Sequence, residues 1–582
     1  MRKLQRLSVI ALGLSALLST AHASELRLVV NPEPTVNPQG LPTSPSSTEN
    51  TTCIMTLDGS AEICVPTPGL LIGNDDPSRT YSPYQSFGVE TGQADDAQVI
   101  ATLNATGWYL TVEMDPEIST GSRNPREQSP TISTSSNASA PNDPDYPEQF
   151  YLHPNNQETR ITGSGFSEAI EKQTNGNERV GVAVLDTSFW TTSEIEYVSG
   201  ANFVSIWDNV RGTDNYLFDD TDSLNRQICG GHGTGVSGVV GASINNGKVI
   251  AGAVDNVDVY ALRVMQCGVG VLSDAADALR WLSGVSIDGI ADFDGDVTVA
   301  NLSLGGGIPT CPTFMQSAID TANAAGITVV VASGNSGIDV SGFAPGNCQG
   351  VMVVGSTTRE GDQAGFSNYG NGVDIYTQGV DVLSLGWDDD ATYWWEGTSF
   401  SAPMVAAGVA IAKRESPSLN TGALKVIMGN TSKPVVSCAN GGCSNGILDM
   451  SATVDVIQQL GSGELNILQH ALGNKTECEQ QWYVDHFGDT ARLCSLFKAT
   501  FMGELTAANK HYRLVSRAAG QPSTVDDAIV LETSNASEFL SDIDVETYTY
   551  GYQICIDGSC GSTIDFDASS AGVADAPAAC QD

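Results

Sequence analysis

From about residue 145 to 460 the chain repeats one unit: a short apolar run, a glycine-bearing turn, then a helical stretch. The runs are Val180 to Leu185, Val257 to Val264, Val297 to Leu304, Ile327 to Ala332 and Val351 to Val354, each rich in Val, Leu or Ile. Strands buried on both faces read this way, because side chains alternate between two faces that are both apolar. Between the runs, Ser273 is placed to cap a helix carrying Ala275, Leu279 and Leu282 that Gly284 would stop. Phe314, Ala318 and Ala322 line one face of a second helix ending before Gly326. Such strands joined by such helices imply an α/β fold, an open and mostly parallel sheet with helices on both faces, whose ligands bind beyond the carboxyl ends of the strands.

The flanks read differently. Met1-Arg2-Lys3 to Arg6, an apolar run from Leu7 to about Ala21 and the small residues around Ala23 form a signal peptide over residues 1–23, with cleavage before Ser24. The run is shorter than the ~20 residues a membrane-spanning helix needs, so an extracellular protein is expected. Residues 24–141 read as a prosegment and linker. They contain an Asp58-Gly59 turn between two strand-like arms ending in Cys53 and Cys64, then a helix and strand at Ala94 to Asn104 and Trp108 to Glu113. From Ile118 to Pro144 the chain is Ser, Thr, Pro, Asn and Gly without periodic apolar positions, as in an exposed, cleavable linker. Residues 142–460 hold the α/β unit. Residues 461–582, with short alternating runs such as Tyr512 to Val515 and Thr547 to Ile556, read as a small β-rich domain.

With 26 basic against 68 acidic side chains the net charge is -42, which argues against nucleic acid and anionic membranes as partners. Thirteen cysteines in an exported chain read as a disulfide framework with one thiol left over. Spacing does not fix connectivity. Sequential pairing is the expectation: Cys53 with Cys64, Cys229 with Cys267, Cys311 with Cys348, Cys438 with Cys443, Cys478 with Cys494 and Cys555 with Cys560, leaving Cys580. Zinc is disfavoured, since no CxxC pair occurs and there are 6 histidines.

Four stretches carry chemistry. Gly397-Thr398-Ser399 is a tight turn feeding the apolar helical run Val405 to Ala412, which would hold the Ser399 hydroxyl exposed at a helix N-terminus. A hydroxyl is a weak nucleophile at neutral pH, so it needs a base, an orienter for that base, and donors for the oxyanion that forms. His232 opens a helix of small residues within Cys229-Gly230-Gly231-His232-Gly233-Thr234-Gly235, where glycines let another backbone approach. Asp186 ends the apolar run Val182 to Leu185, a place where charge is costly without partners. Asn335 follows the run Val329 to Ala332, and its amide N–H could donate to an oxyanion together with the Ser399 backbone N–H. Singly, Asp186 reads equally well as a turn cap and Asn335 as a turn former.

Together, in the order Asp186, His232, Asn335, Ser399, they resemble the subtilisin-like serine peptidases, the subtilases, over roughly residues 142 to 458. The resemblance implies Ser399 as nucleophile, His232 as general base and acid, Asp186 as its orienter and Asn335 as oxyanion donor. It also implies that Asn301, Ser303, Leu304, Gly305 and Gly306 bind substrate backbone and wall the primary specificity pocket. Ala332, Ser333 and Gly334 would form the opposite wall, with Phe343 near the base. A medium to large apolar or aromatic side chain before the scissile bond is expected. Ala94 to Glu113 resembles the end of an inhibitory propeptide, and the cysteines around Cys267 and the pair Cys311 and Cys348 resemble those of disulfide-bearing extracellular bacterial members. The implied protein is a monomeric secreted endopeptidase, made as a zymogen, acting on protein or peptide substrates and inhibited by its own prosegment.

Ser188 departs from the usual glycine after the Asp186 motif and could re-aim its turn; Gly235, Met404 and Thr377-Gln378-Gly379 depart without removing a catalytic atom. Asp292, Asp294 and Asp296 on a glycine-bearing loop could hold calcium, with a solvated turn as the alternative. The chemistry itself needs no cofactor. A silent peptide-binding protein on the same scaffold would have no need of all four residues, and an esterase of the Gly-x-Ser-x-Gly kind lacks its motif here.

Overall fold

Seven strands form the central sheet: β1 (Val180–Asp186), β2 (Tyr197–Asn202), β3 (Val257–Arg263), β4 (Val299–Leu302), β5 (Thr328–Ala332), β6 (Val351–Thr357) and β7 (Ile375–Gln378). Their order across the sheet is β7-β6-β5-β4-β1-β3-β2, and every neighbouring pair is parallel. The computed structural model describes residues 25–32, 51–55, 62–66, 85–90, 96–106, 109–121, 141–154, most of 161–461, and several strands between 496 and 566. The signal peptide lies outside these residues. Among them, no helix is long and apolar enough to cross a membrane.

The strand period of two divides the interior into two cores. Val182 and Val184 of β1 pack on one face with Val236, Val239 and Val240 of α1 (His232–Gly241) and with α4 (Thr398–Glu415). Ala183 and Leu185, one residue out of phase, pack on the other with α2 (Leu272–Leu282) and α3 (Thr313–Ala324). Helices therefore cover both faces. Because all strands run the same way, the carboxyl ends of β1, β4 and β5 meet at one edge, where Leu302 is the register partner of both Leu185 and Val331.

Ahead of the sheet, Glu25–Pro32 pairs antiparallel with Gln85–Glu90 and Tyr109–Met114, and a helix spans Asp96–Thr106. Two sequence expectations change here. Ser273 does not cap α2, whose N-cap position is Val271 with no side-chain cap. Instead the Ser273 backbone N–H and hydroxyl donate to the Asp115 carboxylate, at 3.0 and 2.7 Å. The start of the expected linker is also ordered. Glu117–Ser119 forms a strand antiparallel to Val269–Val271, with Ser119 exchanging both backbone hydrogen bonds with Gly305.

In the last part of the chain, Lys510–Ala518 and Tyr548–Ile556 pair antiparallel at the centre of a five-stranded sheet. Cys311 is bonded to Cys348 and Cys438 to Cys443. Cys267 is in a disulfide, and its expected partner Cys229 lies outside the described residues. Cys53 and Cys64 are register partners in one hairpin and Cys555 and Cys560 in another. Cys478, Cys494 and Cys580 lie outside the described residues.

Candidate active site

Asp186, the last residue of β1, is fully buried, and its Oδ1 accepts from the Thr187 backbone N–H and lies 2.7 Å from His232 Nδ1. The carboxylate thus fixes both the tilt of the imidazole and the tautomer, since Nδ1 must carry the proton to donate. Ser188 has not re-aimed the turn. His232 is the first residue of α1, whose small residues let it lie close: a β-carbon on Gly233 would stand 2.8 Å from the Ser188 carbonyl oxygen. Its ring is held edge-on by Phe400 and Trp395, with centroids 5.3 and 6.0 Å away.

Ser399 sits in the first turn of α4, where backbone N–H groups lack intrahelical acceptors. Its hydroxyl lies 3.2 Å from the carbonyl oxygen of Thr120 and 3.3 Å from that of Ser303. Asn335, just past β5, turns its amide N–H toward the same Thr120 oxygen at 3.5 Å. That orientation is determined by the other end of the amide: Asn335 Oδ1 accepts from the Thr398 backbone N–H at 2.8 Å, which can only donate, and from the Thr398 hydroxyl at 2.9 Å. Thr398 is a contributor that sequence reading missed; its place directly before Ser399 was the available signal.

Of the expected substrate wall, Gly305 pairs with Ser119 and Leu304 lies in the same apolar cluster as Ile118. Gly306 exchanges hydrogen bonds with Ala344, and its α-carbon faces the Glu117 carbonyl closely enough that a β-carbon would stand 2.8 Å from it. Asn301 lies behind Ser303 and Ser399. It is wholly buried and donates to the Ser303 hydroxyl at 3.0 Å, which in turn donates to the Ser399 carbonyl at 2.7 Å. Across the cleft, Ser333 is tied to Asn368, whose amide donates to the Ser333 carbonyl at 2.7 Å. Ala332 is buried, Gly334 adopts φ 101°, and the Phe343 ring lies against Gly305 and Gly334.

Asp292 accepts from the Ser286 hydroxyl at 2.7 Å, and among the described residues no three His, Cys, Asp or Glu side chains converge around Asp292, Asp294 and Asp296.

Residues 177–473 match the family model described as the subtilase family. An extracellular protease of Xanthomonas campestris pv. campestris is 36% identical over 297 residues, 47% of this chain and 50% of that protein. An extracellular basic protease of Dichelobacter nodosus is 31% identical over 349 residues, 55% of this chain and 56% of its own. Subtilisin BL of Lederbergia lenta is 32% identical over 254 residues, 43% of this chain and 82% of its own. The chain spans about half the length of the first two relatives.

Proposed function

The chain belongs to the subtilase family, and from that premise we propose that it is a secreted serine endopeptidase, made as a zymogen, that cuts extended protein substrates through an acyl-enzyme. Ser399 Oγ attacks the substrate carbonyl carbon while His232 Nε2 takes its proton, Asp186 holding Nδ1 and stabilising the imidazolium. The oxyanion receives the Asn335 amide N–H and the Ser399 backbone N–H. His232 then returns the proton to the leaving amine, and water releases the acyl group by the same route. The proposed route uses no cofactor. Substrate backbone lies as an added antiparallel strand between Val269–Val271 and Gly305, a mode that accepts many sequences.

One observation carries the reading: the chain's own Thr120 carbonyl lies within reach of both the Ser399 hydroxyl and the Asn335 amide. The segment around Thr120 therefore occupies the cleft as a substrate would, and the Thr120–Gly121 bond is the first to be cut. Prosegment carboxylates also supply caps that α2 and α3 lack: Asp115 accepts from Ser273, and Glu113 from the Thr313 backbone N–H at 3.0 Å.

N-terminal sequencing tests this. The wild type should yield a chain beginning at Gly121, and Ser399→Ala should remain a precursor beginning at Ser24. A Ser399→Ala protein that matures when made without other proteases would remove self-processing, and Ser399 as nucleophile with it.

A further inference from the structure

The two walls expected for the primary specificity pocket, Ser303–Gly306 and Ala332–Gly334, are bridged at Gly305 and Gly334 by one side chain, that of Phe343. A β-carbon placed on Gly305 would stand 2.3 Å from Phe343 Cε1 and 2.9 Å from its Cζ. One placed on Gly334 would stand 2.8 Å from Cζ and 2.9 Å from Cε1. The same ring edge thus lies against both backbones, with the Ala344 carbonyl also close to Gly305 and the Asn368 amide close to Gly334, whose φ of 101° itself favours glycine.

The ring has little freedom to retreat. Phe343 N–H donates to Val340 O and its carbonyl accepts from Asn347 N–H, both at 3.0 Å. Ala344, the next residue, exchanges two hydrogen bonds with Gly306. Asn347 donates from its side chain to Ile308 O at 2.8 Å, and Cys348 is bonded to Cys311. The loop carrying the ring is therefore fastened to the pocket wall itself. On the opposite side, Asn368 holds the 333–338 turn, donating to Ser333 O and accepting from the Ser336 and Ile338 backbone N–H groups at 3.1 Å each.

An independent observation agrees. The segment in the cleft is Ile118-Ser119-Thr120-Gly121, small at every position but Ile118. Ile118 is 2% exposed, in the cluster that includes Leu304, Val264, Met265 and Leu272. The apolar side chain is taken up upstream, not beside the Thr120 carbonyl.

We propose that Phe343 fills the primary pocket and restricts the enzyme to substrates with a small side chain (Gly, Ala, Ser or Thr) before the scissile bond, preceded by an aliphatic residue at the position of Ile118. This rests on the peptidase reading above and replaces the medium to large side chain that the sequence suggests. Phe343 is a specificity-determining residue: it does not touch the reacting atoms, and it acts by excluding volume.

The test uses the matured full-length protein and peptides spanning Pro116 to Asn124, with Thr, Ala, Leu or Phe at position 120 and mass spectrometry to locate the cut. The wild type should cut the Thr and Ala peptides with kcat/KM at least about tenfold above the Phe peptide, a modest difference for side-chain volume in an apolar pocket. Phe343→Gly and Phe343→Ala should each raise the Phe-to-Thr ratio by about tenfold or more. The ratio is taken within one preparation, so a partly folded variant does not blur it. A wild type that prefers Leu or Phe, or variants that leave the ratio unchanged, would overturn the pocket assignment while leaving the peptidase reading intact. A wild type that cuts none of the peptides and whose Ser399 is not labelled by a fluorophosphonate would overturn both.

Discussion

Replacing Asp115 with Asn should flatten the pH dependence of prosegment docking. Asp115 lies fully buried where the prosegment meets α2, with Oδ1 accepting from the Ser273 backbone N–H at 3.0 Å and Oδ2 from its hydroxyl at 2.7 Å. Burial is the largest influence on its carboxyl and pushes it up to about 7 from 3.8, outweighing the Ser273 hydrogen bonds and Arg27, whose Nε is 3.6 Å away; nearby Asp274 pushes the same way. Asp274 stays with the enzyme whether or not the prosegment is bound, its charge facing Arg211. In the released prosegment Asp115 regains an ordinary carboxyl, so docking takes up a proton. The sign follows: docking is strongest below about pH 4, weakens as pH rises through about 7, and is flat above that.

Between about pH 5 and pH 8 a pKa of about 7 docked against 3.8 free corresponds to roughly a hundredfold weaker binding, about 3 kcal/mol. The N-terminus of α2 favours the charged carboxylate by about 0.3–1 kcal/mol, which trims the effect to some tens-fold. Excised prosegment is recombined with matured enzyme across this range, and inhibition is normalised to the uninhibited rate at each pH. The inhibition constant should rise by tens-fold for the wild type and stay nearly level for Asp115→Asn. A wild-type constant that holds or tightens with rising pH, or a variant that keeps the full slope, would refute the role of Asp115.

Asn335→Ala should lower kcat by about 10² to 10³ with KM little changed, a range known from subtilisin's own oxyanion donor and so borrowed for this chain; a variant with near wild-type kcat would remove Asn335 from the oxyanion hole. Replacing both Cys311 and Cys348 with Ala should cost about 2–4 kcal/mol of stability, read as a lower denaturant midpoint. An unshifted midpoint would show that the hydrogen bonds of the 340–347 loop hold it alone.

The parts legible in the sequence are those whose cause is local. β1, β3, β4, β5 and β6 lie inside the sheet and show as apolar runs, whereas the edge strands β2 and β7 do not, β2 being buried only over its second half. His232, Asn335 and Ser399 stand out because glycine and small residues crowd beside them, and a plain core has no use for so much lost side-chain packing, while Asp186 stands out as a charge ending an apolar run. What stayed hidden depends on residues far apart in sequence. Ser273 reads as a cap because it opens an apolar helix, yet the group that satisfies this helix end is Asp115, 158 residues away. Glu117–Ser119 is too short to show any period, and its strand partners are Val269–Val271 and Gly305. Among the described residues it pairs with none of Glu25–Pro32, Gln85–Glu90 and Tyr109–Met114. Once the Thr120–Gly121 bond is cut, as proposed above, its retention depends on its backbone pairing, on Glu113 and Asp115 at the two helix ends, on Arg27 at Ser205 and on Ile118 in its apolar cluster, so weakening any of those side chains should shorten how long the enzyme stays inhibited after its first turnover.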